Sequence, residues 1–253
     1  MQYVKQFFMV LWKIFFVLNF GLTLILFYPI FFVLLSRKEW FPKAFKMMQF
    51  WARVILYIPG IRFRVKYESK LSPNKTYVYC SNHSSYLDIV LSYCAIPYYF
   101  VFMGKRELQK APLFRIFFRE MNILVDRKST IGSHRSLEEA AKKIQEGESV
   151  MLFPEGTISR ESPKLRAFKN GAFKLAIEQQ VPIVPVTFIN NWKLLQDRPF
   201  LQGLSRPGLA LVEVHRPIST KGLTLDDLLT LKAQVQNTIE KSLHDYEQKN
   251  KRK

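Results

Sequence analysis

The chain has 253 residues, of which 48% are hydrophobic, and a formal net charge of +18. This length and composition allow one sizeable core, and no internal repeat or low-complexity linker divides the sequence into two soluble domains. The basic residues are spread through an aromatic-rich chain that contains no nucleic-acid-binding module. We therefore expect no nucleic-acid partner and attribute the charge to an anionic membrane surface or to phosphorylated ligands. Cys80 and Cys94 lie among apolar residues and are interpreted as buried thiols in a reducing compartment.

The first predicted element is a long apolar helix over residues 14–35. At about 33 Å it could cross a hydrocarbon core of roughly 30 Å, and it is too long and too aromatic for a cleaved signal peptide. Basic residues flank both of its ends and Pro29 permits a kink, so spanning the membrane and lying in one leaflet stay open as alternatives. The flanking charges slightly favour a cytoplasmic catalytic side.

A second helix is predicted over residues 41–58 and ends at Pro59-Gly60. Its apolar residues form one stripe and its cations lie largely elsewhere. This pattern is typical of an interfacial helix with its apolar face in lipid, and packing against the protein core is the alternative. We therefore predict membrane-anchoring helices over residues 1–60 and a catalytic domain over residues 61–253.

Strands and helices alternate through the second region. The strands are predicted near 62–68, 76–80, 98–103, 122–126, 149–153, 182–189 and 208–215. The helices are predicted near 84–95, 107–119, 134–146 and 165–179, with a last helix that opens at a capping box from Thr224 to Asp227 and continues to about residue 244. This alternation predicts an α/β fold with a mostly parallel or mixed sheet flanked by helices and with functional loops at the strand ends.

The first candidate site follows the strand predicted over residues 76–80. His83 and Asp88 are five positions apart, a spacing that places them on different faces of a regular helix. They meet only if a turn intervenes, and Ser84 and Ser85 are favoured N-cap residues, so we place His83 in a turn and Asp88 near the start of a helix. Asp88 can then accept the proton of one ring nitrogen and leave the other as a general base. A structural histidine beside a surface carboxylate is the alternative.

The second candidate site follows the strand predicted over residues 149–153. Pro154 breaks that strand, and the turn after it contains Glu155, Gly156, Thr157 and Arg160. Glycine lets backbone N–H groups approach an anion closely, and the arginine fork suits phosphate. The turn is therefore typical of a phosphate-binding site. For Glu155 we favour a structural cap, or a salt bridge that holds an arginine, over direct catalysis.

Together the two stretches resemble the glycerolipid acyltransferase family, which includes the bacterial 1-acyl-glycerol-3-phosphate acyltransferases. The first family motif, Asn-His-x-x-x-x-Asp, is matched by Asn82, His83 and Asp88, and the later motif, Phe-Pro-Glu-Gly-Thr-Arg-Ser, is matched at residues 153–157 and at Ser159. Further family features follow in the expected order: Lys105, the Val-Asp-Arg run that ends at Arg127, Lys169 with Gly171, and the apolar run over residues 181–186. The resemblance extends over roughly residues 61–220.

The resemblance implies transfer of an acyl group from an acyl thioester to the free hydroxyl of 1-acyl-sn-glycerol-3-phosphate, which gives phosphatidic acid. Coenzyme A or acyl carrier protein would carry the donor, so the expected partners are a lysophospholipid, an acyl thioester and an anionic membrane surface. His83 would be the base and Asp88 its orienting partner. The acceptor phosphate would bind at Glu155, Gly156 and Thr157, with help from Arg127 and Lys105. The expected location is the cytoplasmic side of the inner membrane.

Two departures from the family pattern leave the acceptor open. Ile158 stands where the family usually has arginine, and Met121-Asn122 replaces the usual glycine before the Val-Asp-Arg strand. By charge, we add Arg160 as the local substitute for the missing arginine. Glycerol 3-phosphate or another lysolipid is an alternative acceptor, and a thioesterase, in which water replaces the hydroxyl, is a further alternative. We expect no metal, because the other histidines, His134, His215 and His244, lack metal-ligand spacing. We also expect no cofactor, since the sequence contains no Walker loop or dinucleotide fingerprint.

Overall fold

The computed structural model describes residues 2–110, 113–118, 121–126 and 129–251, and within these ranges a seven-stranded sheet forms the centre. The strands are β1 (Ile61–Tyr67), β2 (Val78–Ser81), β3 (Phe100–Lys105), β4 (Ile123–Val125), β5 (Ser149–Leu152), β6 (Ile183–Phe188) and β7 (Gly208–Val214). Their spatial order is β1-β7-β6-β2-β5-β3-β4, and neighbours are parallel except for the antiparallel pair β6 and β7. The predicted α/β class with a mixed, mostly parallel sheet is confirmed, and each predicted strand lies within two residues of an observed one.

Helices cover both faces of the sheet. They are α1 (Gln2–Leu34), α2 (Phe41–Tyr57), α3 (Leu87–Ala95), α4 (Thr130–Gln145), α5 (Gly171–Glu178), α6 (Asn191–Leu194) and α7 (Leu228–Lys251). The capping box predicted at Thr224 is confirmed, because the backbone N–H of Thr224 donates to Asp227 Oδ2 at 2.8 Å. The helix that follows is longer than predicted and continues to Lys251.

Two hydrophobic clusters lie on opposite faces of the sheet. In β2, Tyr79 belongs to the cluster formed with α1, α2 and α3, whereas Val78 and Cys80 belong to the cluster formed with α4, α5 and α7. Alternate strand residues point to opposite faces, so β2 assigns each cluster to one face. Because both faces are covered, every residue of β2, β5 and β6 is buried.

The apolar stripe of α2 packs on the protein. Phe45, Met48 and Ile55 are each at most 3% exposed, and the ring centroids of Phe45 and Phe100 are 5.0 Å apart. The interpretation of this stripe as an interfacial, lipid-facing surface is therefore wrong, and the core-packing alternative is confirmed. A helical stripe has the same period against lipid and against protein, so the sequence pattern could not distinguish the two.

α1 is apolar on all sides, but one of its faces is buried against the domain and the opposite face is exposed. One face lies along the domain, where Trp12 Nε1 donates to the Pro59 carbonyl at 2.8 Å and Phe31 is fully buried. On the opposite face Leu22 and Leu26 are 66% and 72% exposed. The stretch Tyr3–Leu34 is long and apolar enough to cross a membrane. α1 begins at Gln2, earlier than predicted, and shares the cluster of α2 and α3.

The predicted helices over residues 107–119 and 165–179 also differ from the structure. The helix predicted over residues 107–119 is wrong, because its described parts are the short 3₁₀ helices Arg106–Lys110 and Arg115–Phe118. Pro112 in this stretch lacks the backbone N–H that a continuous helix needs. α5 begins at Gly171 rather than near residue 165, since the backbone N–H groups of Arg166 and Lys169 donate to the turn after β5 instead.

Parallel strand direction brings the functional loops to one edge of the sheet. β6, β2, β5, β3 and β4 all run in the same direction, so their carboxyl ends meet at that edge. His83 follows β2, Lys105 ends β3, Glu155 follows β5 and Asn191 follows β6. Such an edge is where α/β proteins usually place their ligand sites.

Candidate active site

The turn after β2 is fixed by Asn82. Its side-chain Nδ2 donates to the Phe188 carbonyl at 3.0 Å, and its Oδ1 accepts the Phe188 backbone N–H at 2.8 Å. These two hydrogen bonds attach the side chain of Asn82 to the end of β6, as strand pairing would, so Asn82 fixes the turn. The next residue, His83, is thereby placed beyond the sheet edge.

The side chains of His83 and Asp88 are in contact, as predicted from the turn between them. His83 Nδ1 lies 2.9 Å from Asp88 Oδ2, and Asp88 is fully buried in the first turn of α3. The same Oδ2 accepts the backbone N–H groups of Ser84 at 2.5 Å and Ser85 at 2.9 Å, while Oδ1 accepts Asn191 Nδ2 at 2.6 Å. Because Asp88 is surrounded by donors, its carboxylate accepts a hydrogen bond from the Nδ1–H group of His83, and the lone pair of the ring is then on Nε2.

The imidazole of His83 is also held from one side. The Phe153 ring stacks on it with centroids 4.0 Å apart and an angle of 16° between the planes. The side chain is 8% exposed, and Nε2 has no hydrogen-bond partner within the described part of the chain. The ring is therefore oriented, mostly shielded from water, and free at the nitrogen that a base would use.

His215, the other buried histidine of the described residues, differs from His83 in the partners of its ring nitrogens. His215 Nδ1 lies 3.0 Å from Glu68 Oε1, and its Nε2 lies 2.8 Å from Thr187 Oγ1. Both ring nitrogens are engaged, and His215 is buried. His215 therefore joins β7 to β6 and to the end of β1, whereas the described residues leave one ring nitrogen of His83 open.

Glu155 joins the two candidate stretches. Its Oε1 accepts the His83 backbone N–H at 2.7 Å, and its Oε2 accepts the Arg166 backbone N–H at 2.9 Å. Burial raises the pKa of Glu155 to about 7, helped by the nearby charge of Asp88 and opposed by the two N–H donors and by the charge of Arg166. The side chain thus caps the turn that carries His83, which agrees with the favoured structural interpretation.

The turn that contains Gly156 and Thr157 packs directly against His83. The backbone N–H of Ser159 donates to the His83 carbonyl at 2.8 Å. Gly156 has a φ of +73°, and a Cβ on it would lie 3.0 Å from both Cε and Nζ of Lys169. The positive φ favours glycine at this position, and Lys169 places a cation at the turn that the site prediction did not include.

The remaining predicted cations have different outcomes. Arg160 lies in the turn, but its side chain is 69% exposed and its Nε is 4.0 Å from Asp197 Oδ2. Lys105 is exposed at the end of β3, with Nζ 3.6 Å from Glu107 Oε1. None of the contacts between described residues joins either cation to His83. Arg127 lies outside the described residues.

Asn191 and Phe153 are site residues that sequence reasoning missed. Asn191 lies 103 positions from Asp88, so no local pattern links them. The available signal was a pair of polar residues, Asn190 and Asn191, directly after a buried strand.

Among the described residues, no group of three or more His, Cys, Asp or Glu side chains could hold a metal ion.

A comparison with sequence models of protein families matches residues 62–189 to the acyltransferase family, and this span runs from β1 through β6. It includes His83, Asp88 and the whole turn after β5. The chain belongs to the acyltransferase family. The recognition made from the two sequence stretches is thereby confirmed.

Curated relatives of this chain are named as 1-acyl-sn-glycerol-3-phosphate acyltransferases. The 1-acyl-sn-glycerol-3-phosphate acyltransferase alpha of Mus musculus is 34% identical over 187 residues, which cover 72% of this chain and 64% of the relative. The chain thus spans less than two thirds of that relative's length. The 1-acyl-sn-glycerol-3-phosphate acyltransferase of Haemophilus influenzae is 32% identical over 176 residues, or 68% of this chain and 70% of the relative.

A solved structure has the same fold as this member of the acyltransferase family. It is the crystal structure of the 1-acyl-sn-glycerophosphate (LPA) acyltransferase PlsC from Thermotoga maritima, with a TM-score of 0.76 and 20% sequence identity. The similarity covers 98% of each chain, so it includes the amino-terminal helices as well as the sheet.

Proposed function

We propose that the protein transfers an acyl group from an acyl thioester to the free hydroxyl of 1-acyl-sn-glycerol-3-phosphate, giving phosphatidic acid. The observation that carries this proposal is the His83–Asp88 pair, in which Nδ1 is bonded to a buried carboxylate and Nε2 is open. Membership of the acyltransferase family and the names of the curated relatives support the same reaction.

In the proposed mechanism Nε2 of His83 removes the proton of the acceptor hydroxyl. The oxygen attacks the thioester carbonyl and forms a tetrahedral intermediate. When that intermediate collapses, the carbon–sulfur bond breaks and the thiolate takes the proton back from the imidazolium, so the base is regenerated. General-base catalysis of this kind is worth about 10²- to 10⁴-fold, and alignment of two bound substrates supplies much of the remaining rate. No cofactor takes part in these steps.

We place the acceptor phosphate at the Gly156 turn. This turn is bonded to His83 through the Ser159 N–H, and Lys169 Nζ lies beside Gly156. A phosphate bound there would sit next to the base, which is the arrangement that acyl transfer to a neighbouring hydroxyl needs. Thr157 and Arg160 are exposed on the same turn, so Arg160 could exchange its contact with Asp197 for the phosphate.

Lys105 and Arg127 are the remaining predicted cations in this proposal. Lys105 ends β3, which lies next to β5, and Arg127 follows β4, the next strand along. We propose that both cations attract the anionic substrates rather than bind at His83. The donor, whether acyl carrier protein or acyl-coenzyme A, is also anionic and would approach from this basic edge.

We further propose that α1 lies in one leaflet instead of crossing the bilayer. It is held along much of its length: Lys13 Nζ donates to the carbonyls of Phe200 and Gln202 at 2.9 and 2.8 Å, and Phe31 packs against Trp51 with centroids 5.4 Å apart. A helix attached lengthwise to a domain with polar surfaces cannot cross alone, so its exposed apolar face would enter the membrane surface. The catalytic side is proposed to be the cytoplasmic face of the inner membrane.

The test is a substrate panel with purified protein. Glycerol 3-phosphate, 1-acyl-sn-glycerol-3-phosphate and other lysolipids are offered with acyl-coenzyme A and with acyl carrier protein thioesters, and both free thiol and acylated lipid are measured. We expect thiol release to match phosphatidic acid formation with 1-acyl-sn-glycerol-3-phosphate and to be lost in a His83→Ala variant. Thiol release without acylated lipid would identify a thioesterase, and preference for another acceptor would overturn the substrate assignment.

A further inference from the structure

A groove lies between the first turns of α1 on one side and, on the other, α6 and the residues just before β7. Its volume is about 500 Å³, within the roughly 300–1,000 Å³ range of small-ligand sites. Three aromatic side chains, Phe8, Trp12 and Trp192, contribute to a mostly apolar lining. Neither His83 nor Asp88 lines it, so it is separate from the candidate active site.

The charged residues that line this groove are all cations, namely Lys5, Lys193 and Arg206. Lys193 Nζ is paired with Glu247 Oε1 at 2.9 Å. Lys5 and Arg206 are exposed, and neither forms an ion pair with any described residue; Arg206 Nε donates only to the Lys193 carbonyl at 3.4 Å. Two cations beside an apolar groove thus lack an anion that the described chain itself supplies.

The groove adjoins the exposed apolar face of α1 at Phe8. Phe8, which lines it, is 63% exposed, and Val4, Phe7 and Leu11 on the same turns are also exposed. This is the surface that we place in the membrane, where an apolar wall faces acyl chains and a cation faces headgroup phosphates. The combination matches a molecule with a long apolar tail and an anionic head.

We propose that this groove binds an anionic phospholipid of the surrounding bilayer, which is not the substrate. Its acyl chain lies against Phe8, Trp12 and Trp192, and its phosphate lies between Lys5 and Arg206. The inference rests on the proposed position of α1 in the membrane, but not on acyl transfer. Lipid in the groove would tie the first turns of α1 to the segment before β7, because both form its walls.

The test measures lipid binding to the full-length protein in detergent micelles. Phosphatidylglycerol and phosphatidylcholine are titrated separately, and retained lipid is counted by native mass spectrometry. We expect preferential retention of phosphatidylglycerol, with an affinity that falls roughly 10- to 30-fold in a Lys5→Gln/Arg206→Gln variant. The matched control, Lys43→Gln/Lys46→Gln, removes two exposed cations from α2 and should change the affinity less than about twofold.

A second variant tests the apolar part of the groove. Met9 lines it and is partly buried, so Met9→Trp should fill it without a change in charge and lower phosphatidylglycerol retention. Equal retention of both lipids by the wild type, an equal loss in the control variant, or wild-type affinity in both groove variants would overturn the proposal. Acyl transfer is measured in parallel; its absence together with intact lipid retention would count against the proposed function alone.

Discussion

Substitution of Asp88 tests how the acid acts on His83. Oδ2 of Asp88 takes the bonds from His83, Ser84 and Ser85, and only Oδ1 faces Asn191. An Asp88→Asn side chain can therefore keep its oxygen at the Oδ2 position and turn its NH₂ toward Asn191. Asn191 Oδ1 is buried and has no hydrogen-bond partner within the described ranges, so a rotation of the Asn191 amide would supply the acceptor.

The expected loss follows from what this substitution keeps. The His83 tautomer survives, and what disappears is the negative charge that stabilises the imidazolium. A charge-assisted hydrogen bond exceeds a neutral one by about 1–2 kcal/mol, so kcat/KM should fall by roughly 5- to 30-fold in Asp88→Asn. Asp88→Ala also removes the acceptor, and its loss should approach the full value of the base, about 10²- to 10⁴-fold.

The assay is thiol release from an acyl thioester with 1-acyl-sn-glycerol-3-phosphate in mixed micelles, normalised to folded protein by a thermal unfolding scan. Normalisation is needed because Asp88→Ala leaves several buried donors unpaired. Adding Asp88→Asn to a His83→Ala variant should cost nothing further, since the acid would act only through the imidazole. Losses that multiply in the double variant would refute this coupling, and an Asp88→Asn variant as inactive as His83→Ala would refute the assignment of Oδ2.

Three further predictions follow from buried and exposed contacts. Asn191→Leu removes the 2.6 Å bond to Asp88, and kcat/KM in the same assay should fall roughly 5- to 30-fold. The folded-state pKa of Glu155 is raised from 4.5 to about 7, so the stability that the wild type holds over Glu155→Gln should be largest below pH 4.5. That difference should shrink by about 3 kcal/mol as the pH rises through 7, as followed by thermal unfolding in detergent. Leu22→Glu, on the exposed face of α1, should weaken vesicle binding without loss of stability, whereas the buried Leu24→Ala should lower the free energy of unfolding by about 2–5 kcal/mol.

Each of these predictions has an outcome that contradicts it. Wild-type kinetics in Asn191→Leu would show that Asp88 is oriented without it. A stability difference for Glu155→Gln that grows with pH would mean that the carboxylate, rather than the acid, is the favoured form in the folded state. Unchanged vesicle binding of Leu22→Glu would remove the exposed face of α1 from the membrane.

Much of this fold could be predicted from local sequence patterns. The seven strands follow from short apolar or alternating runs, and the capping box at Thr224 follows from side chains three residues apart. The contact of His83 with Asp88 was also predictable, because two serines after His83 imply a turn before the helix. In each case the determining interactions lie within a few residues, so the sequence alone contains them.

Tertiary structure decided the features that depend on partners far along the chain. The stripe of α2 has one period for lipid and for protein, and tertiary contacts such as that of Phe45 with Phe100 made it part of the core. α5 begins late because Arg166 gives its N–H to Glu155. Asn191 reaches Asp88 only because β6 and β2 are neighbours in the sheet.

The two buried histidines show the same division. The sequence places His83 and His215 each at the end of a strand, and each proves to contact a carboxylate. Thr187, from the adjacent strand, occupies the second nitrogen of His215, whereas the described residues leave the second nitrogen of His83 open. The sequence by itself determined which residue types stand at the sheet edge, and strand order determined which imidazole can act as a base, because hydrogen bonds across strands depend on spatial neighbours.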